Sequence, residues 1–424
     1  MDFIKNALNT IENWLHTITD NRKPDYYLFI FASLLIIVSI VFSYSLSIFT
    51  VDYFDYSQFH FFIRQLGVGI ISILLMWVLA HIKPEYLFKK WKIGWWLFGV
   101  FGILMIVMHM LPSSMVTASG GANRWIRLPG FSLAPVEFFK IGFIFFLSAS
   151  FSKKFGDLEK VSFKEELKML LPYGIVFGIV VVLIAVLQKD LGQVVLLGSI
   201  LFVMLIFANR SVKLFISIIG VAVFGFISLI LLAPHRINRF QSWWSSVQDT
   251  ILSPFPPSIQ EALKVQEFPE PYQVSHSLNA IFNGGWNGVG LSEGGIKLGF
   301  LSEVHTDFVL AGITEEIGLI GLSFILVFLF LIIFRILRTS RRIDDHIYHL
   351  FCLGIALMIS VAFLINSYGI TGVIPIKGIA VPFLSYGGSS ILALGIAVGM
   401  VLSISKDLSK TQKETKHEYQ FDKV

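Results

Sequence analysis

The strongest constraint on this chain is a succession of ten apolar runs, each close to the length of a bilayer-crossing helix. They lie near residues 27–48, 62–81, 93–111, 135–151, 171–187, 190–208, 214–234, 308–334, 348–371 and 388–405, and about 20 residues of helix span a hydrocarbon core of ~30 Å. Hydrocarbon offers no partner for a bare N–H or C=O, so spanning segments must be helices or a closed barrel. The runs lack the alternation of barrel strands, which selects helices. With 55% hydrophobic and only 14% charged residues, a water-soluble domain of this length is excluded. The expected fold is an all-α, polytopic membrane bundle of about ten transmembrane helices, with a long outer-face loop at 235–307 between spans seven and eight.

Basic residues orient this bundle. Lys83, Lys89, Lys90, Lys153, Lys154, Arg210, Lys213, Arg335, Arg338, Arg341, Arg342 and Lys406 fall on one side of a ten-span arrangement, and positive loops stay in the cytoplasm. Both termini are then cytoplasmic. The formal charge of +5 reflects that excess; no motif or basic folded domain points to nucleic acid. A single cysteine, Cys352, leaves no intrachain disulfide framework. Within residues 1–25, Phe3, Ile4, Leu8, Ile11, Leu15 and Ile18 recur at helical spacing, which predicts a cytoplasmic amphipathic helix rather than a cleaved leader. Residues 26–405 form the transmembrane domain and 406–424 a cytoplasmic tail.

The candidate chemistry sits where loops meet spans. Asp307 ends the long loop, preceded by Glu303, His305 and Thr306. Partial burial there makes a carboxylate a better proton acceptor while leaving it within reach of a polar headgroup, as a general base requires. A carboxylate that stabilises a helix start fits the same position. Glu315 and Glu316 follow inside the apolar run and need partners, for which Arg64, Lys140 and Lys189 are available. Glu137 and Lys140, in APVEFFK, are three apart and share a helix face; they line a cavity or neutralise each other. Arg124, in GGANRWIRLPG, suits bidentate phosphate binding, or snorkelling beside Trp125. Lys189 and Asp190 read as a local pair in a tight turn, and Trp243, Trp244 and Trp286 as interfacial anchors. The stretch GVIPIKGIAVPFLSYGGSS, with Pro375, Lys377 and Pro382, reads as irregular or re-entrant backbone. No metal-ligand, nucleotide-loop or nucleophile-elbow spacing stands out. No cofactor is required, although a divalent cation bridging Asp307, Glu303 and a diphosphate is chemically reasonable.

Together, GANRWI, QKDLG, YQVSHSL, HTDFVLAGITEE and PIKGIAVPFLSYGGSS, in this order between Gly120 and Ser390, resemble the signature blocks of the SEDS (shape, elongation, division and sporulation) family. The Lys377-Gly378 step is more like its FtsW and SpoVE branches than its RodA branch. Some positions depart from the family pattern, among them Ala134, Val136, Lys189 and Ser302, while the charged ones remain. The resemblance implies a peptidoglycan glycosyltransferase that polymerises lipid II, with Asp307 matching the essential aspartate. Arg124, Glu137, Lys140, Glu303, His305, Thr306 and Lys377 would then contact substrate. It also implies a class B penicillin-binding transpeptidase as partner, together with other divisome proteins, in the inner membrane at the septum. Two rival readings are a lipid II flippase and a non-catalytic scaffold that recruits the transpeptidase.

Overall fold

The computed structural model describes residues 17–406 apart from 20–21, 113, 120–121, 129–130, 156–162, 208–211, 266–271, 302–303 and 376–377. Most of the expected N-terminal amphipathic helix, and the expected C-terminal tail from residue 407 on, lie outside the described residues. Ile18, the last apolar position of that N-terminal pattern, is buried, and its carbonyl accepts from the Lys83 N–H at 2.9 Å.

The helices begin with α1 (Tyr26–Ser45), the short α2 (Ile48–Tyr53), α3 (His60–His81) and α4 (Ile93–Val107). A three-stranded antiparallel sheet, β1 (Val116–Ser119), β2 (Ala122–Leu128) and β3 (Phe131–Leu133), leads into α5 (Pro135–Phe155). Next, α6 (Phe163–Val181) runs on as a π-helical stretch, Val182–Leu187, before α7 (Leu191–Phe207), α8 (Val212–Leu231) and α9 (Pro234–Leu252). The chain closes with α10 (Pro257–Leu263), α11 (Tyr272–Gly284), α12 (Val309–Arg341), α13 (His346–Ile370) and α14 (Gly388–Ser405).

Every apolar run has a helical counterpart, and the molecule is a polytopic helical membrane protein. The runs are not equal spans, however. Among the described residues seven helices are long and apolar enough to cross a bilayer, or eight if a bent pair counts as one span. Helices α4 and α7 have 15 and 17 residues, about 22 and 25 Å at 1.5 Å per residue, which is short of a ~30 Å core. The bent pair is α8 and α9, which meet at 105°. Pro234 begins α9 after an extended Ala233, and a proline ring cannot carry α8 onward. HRINRFQSWW, expected to open a polar loop, is therefore the start of an amphipathic helix.

The small sheet is an addition to the all-α expectation. Its glycine-flanked sequence reads as loop, yet Val116 pairs with Ile126, and Ile126 with Leu133, and Val116 and Ile126 bury themselves against Met108. On the opposite side of the bundle Asp25 accepts from Leu28 N to cap α1 and pairs with Arg335 of α12 at 2.6 Å.

Two irregular stretches carry the site. The described residues between α13 and α14 are non-helical, with Ile379, Val381, Phe383 and Leu384 buried, as the sequence suggests. The glycine-rich loop after α11 packs on a break in α12. Gly318 there has φ 72° and ψ 177°, and a Cβ on it would sit 2.3 Å from the Trp286 carbonyl, so only glycine fits. The backbone groups freed by the break are satisfied by that loop: Leu319 N donates to Gly285 O at 2.9 Å, and Gly290 N to Glu316 O at 2.9 Å. Such pairing is what allows a non-helical turn at membrane depth.

Candidate active site in a polar cavity

A cavity of about 550 Å³ opens among the segment around α2, the N-terminal part of α3, strand β2, the start of α5, the α6–α7 turn, the residues before α12 and the residues before α14. It brings together Arg124, Glu137, His305, Thr306 and Asp307, which lie far apart in the sequence. Glu303 and Lys377 lie outside the described residues. Lys140 borders a smaller recess beside the cavity, together with Glu137, Ala380 and Ser390.

Asp307 is half-buried, one residue ahead of the fully buried Phe308 and the start of α12. Its main chain is held by the irregular stretch before α14. Asn366 Nδ2 donates to the Asp307 carbonyl at 2.7 Å and to the Ile379 carbonyl at 2.8 Å. Ser385 Oγ donates to Thr306 O at 2.7 Å, and Tyr386 N to His305 O at 2.8 Å. Gly378 packs against the carboxylate itself: a Cβ there would stand 2.8 Å from Asp307 Oδ2. The glycine of the PIKGIAV block thus makes room for the acid. His305 is 3% exposed and wedged between the rings of Phe61 and Tyr386, at centroid distances of 4.8 and 5.5 Å. It packs the turn that carries Asp307.

Glu137 and Lys140 do pair across one helical turn, at 3.0 Å, and Gln193 of α7 adds a bond to Glu137 Oε1 at 3.4 Å. Arg124 reaches over the α6–α7 turn. Its Nε donates to Gln188 O at 3.2 Å and its Nη2 to Lys189 O at 2.9 Å, while Nη1 stands 3.6 Å from Asp190 Oδ2. The partner of Asp190 is therefore Arg124 rather than the adjacent Lys189. Lys189 takes up a left-handed conformation, φ 52°, which makes the turn tight and turns its carbonyl to the guanidinium. Burial pushes the Asp190 carboxyl above the usual carboxylate range, with Arg124 pulling it back.

Glu315 and Glu316 lie outside the cavity, and their partners differ from those expected. Glu316 pairs with Lys297 at 2.5 Å, both 1% exposed, and accepts from Ser45 Oγ. Glu315 accepts from Asn283 Nδ2 at 3.0 Å and Ile296 N at 2.9 Å. Arg64, Lys140 and Lys189 belong elsewhere. Lys297 escaped notice because it sits in a polar loop whose return into the bundle is a tertiary event. Trp243 and Trp244 donate their indole N–H groups to Gly372 O at 2.9 Å and Leu263 O at 3.0 Å, so they tie the loop together as well as lining its surface.

Several cavity residues were not legible as such: Arg64, Asp190, Gln193 and Tyr386. The signal available for Arg64 was a guanidinium in the first turn of an apolar run. Burial raises the Tyr386 pKa, and the nearby positive charge of Arg64 lowers it. Among the described residues no group of three or more His, Cys, Asp and Glu is arranged to hold a metal ion.

A helical membrane protein with charged and hydroxyl side chains around a cavity walled by irregular backbone defines a class, that of polytopic proteins that handle a polar group at the bilayer. Comparison with known proteins makes the assignment narrower. The model of the FtsW, RodA and SpoVE cell cycle protein family matches residues 25–410, and the chain belongs to that family. It is 48% identical over 383 residues to the probable peptidoglycan glycosyltransferase FtsW of Helicobacter pylori strain ATCC 700392, covering 90% of this chain and 98% of the relative. It is 31% identical over 388 residues to stage V sporulation protein E of Bacillus subtilis strain 168, covering 92% and 98%. Among solved structures, a chain from a peptidoglycan synthase complex that coordinates polymerization and crosslinking superposes with TM-score 0.67 at 21% identity, covering 91% of this chain and 98% of that one. The rod shape determining protein RodA of Thermus thermophilus does so with TM-score 0.58 at 19% identity, covering 91% and 97%.

Proposed function

We propose that this chain is a peptidoglycan glycosyltransferase that polymerises lipid II during septal wall synthesis, with Asp307 as general base. The observation that carries the reading is the placement of Asp307: half-buried on the cavity wall, main chain held by Asn366, carboxylate against Gly378. A base so positioned is pre-organised toward one point in the cavity. In the reaction the acceptor sugar 4-hydroxyl attacks the anomeric carbon of the lipid-linked chain. Its proton passes to Asp307, and the bond from carbon to diphosphate oxygen breaks, the electron pair leaving with undecaprenyl diphosphate. General-base help of this kind is worth about 10² to 10⁴ in rate. Glu137, Lys140, Arg124 and Asp190 form the charged floor and wall on which the headgroups rest. Glu303, Thr306 and Lys377 complete the substrate contacts; a divalent cation, if the reaction uses one, would be held by Glu303 and Asp307 and would offset the charge of the leaving diphosphate.

The protein would work in the inner membrane with both termini in the cytoplasm and the cavity on the outer face. A class B penicillin-binding transpeptidase, within the divisome, is the partner this reading requires. The test is lipid II polymerisation by the purified protein with its cognate transpeptidase, following glycan chain length. Polymer from the wild type and none from a folded Asp307→Ala variant is expected. Normal polymer from the variant would remove Asp307 from the mechanism. Movement of lipid II across vesicles without polymer would favour a flippase, and septal function retained by Asp307→Asn would favour a scaffold.

A further inference from the structure

Two arginines border the cavity among the described residues, Arg64 and Arg124, and they are engaged differently. Arg124 already has Asp190 beside Nη1 and backbone carbonyls on Nε and Nη2. Lys140, in the adjoining recess, is matched by Glu137. Arg64 is exposed to the cavity, and among the described residues no carboxylate stands within ion-pair distance of it. The Tyr386 side chain lines the same cavity. A guanidinium carries five N–H donors in a fixed fork, so most of its capacity remains for a ligand. It stands in the second turn of α3, on the stretch of that helix that borders the cavity. Tyr386 is tied to the reacting end of the cavity, since the Tyr386 N–H donates to His305 O, two residues before Asp307.

We propose that Arg64, rather than Arg124, is the diphosphate-binding cation of this cavity. The inference rests on the glycosyl-transfer reading. As the carbon–oxygen bond to the diphosphate breaks, its electron pair goes to the phosphate oxygen and the leaving group gains a negative charge. The acceptor oxygen bonds to the same carbon and its proton goes to Asp307. A guanidinium bound to the diphosphate opposes the charge that develops there, and does so most strongly in the transition state. Arg124, by contrast, clamps the α6–α7 turn and spends its charge on Asp190.

The experiment measures binding of undecaprenyl diphosphate to the full chain in nanodiscs, with inorganic diphosphate as competitor and lipid II polymerisation in parallel. Wild type, Arg64→Gln, Arg64→Lys and Arg124→Gln are compared after a thermal melt confirms that each is folded. Arg64→Gln is expected to weaken binding roughly ten- to a hundred-fold, as loss of a charge-assisted pair does, and Arg64→Lys by less because it keeps the charge and loses the fork. Inorganic diphosphate should displace the lipid from the wild type, which locates recognition on the phosphates. Unchanged affinity in Arg64→Gln, a larger loss in Arg124→Gln, or indifference to inorganic diphosphate would each overturn the assignment. A wild type that polymerises lipid II while Arg64→Gln binds normally sinks only this inference. A wild type that neither binds the lipid diphosphate nor makes polymer sinks the glycosyl-transfer reading with it.

Discussion

Asp307 and Glu316 lie on the same stretch of chain, one just before α12 and the other inside it, and both are carboxylates close to the membrane boundary. Their surroundings separate them. Asp307 borders a cavity of about 550 Å³ and presses against a glycine. Glu316 is 1% exposed and closed in by Lys297 and Ser45. A charge sealed from water has to be matched by another charge, and the matched pair then holds two segments together. A charge left at the edge of water keeps capacity to take a proton or a ligand. The comparison teaches that residue type and membrane depth do not distinguish machinery from scaffold here. Access does.

Four substitutions would break or sharpen that contrast. The largest effect is expected at Asp307→Asn: polymerisation falls by at least about 10²-fold while the melting temperature in detergent hardly moves. A large fall in stability instead would place Asp307 with Glu316 as scaffold. Next comes Lys297→Met, which leaves Glu316 buried without its cation and should cost about 3–5 kcal/mol of stability, read from denaturant unfolding in micelles. Replacing both members, as Lys297→Met with Glu316→Leu, should recover much of that loss. If Lys297→Met abolished turnover with stability intact, the sealed pair would be part of the chemistry. Gly378→Ala adds a methyl group where the Asp307 carboxylate lies. Displacing a catalytic group by about 1 Å costs up to 10²-fold, so a loss in kcat approaching that figure, at near-normal stability, is the expected result. The smallest effect is expected at Arg335→Gln, which removes the partly exposed pair with Asp25. About 1 kcal/mol or less should be lost in the same unfolding assay, with polymerisation unchanged.

The site divides between what could be read and what could not. Asp307, the Glu137–Lys140 pair and the irregular backbone leading into α14 were legible because each signal is local: a position at a loop end, a three-residue spacing, a run of prolines and glycines. The partner of Arg124 was not, because Asp190 approaches from another helix pair while a closer lysine in the sequence points to a different match. Asn366 gives no sign in its own apolar helix that it holds the backbone of Asp307. The sheet between α4 and α5 was hidden for a related reason. Its strands are short and flanked by glycine, and their pairing depends on Met108 offering an apolar surface.

The amino-acid sequence alone determined that this is a helical membrane protein with its chemistry at the ends of the spans, because lipid excludes unpaired backbone and the apolar runs have only one way to satisfy it. Its ordered motifs also determined the family. Only the tertiary structure decided which charges meet. Partners such as Lys297 with Glu316 or Arg124 with Asp190 come from segments whose approach depends on helix breaks and loop returns, and no periodicity within a segment encodes the distance to another.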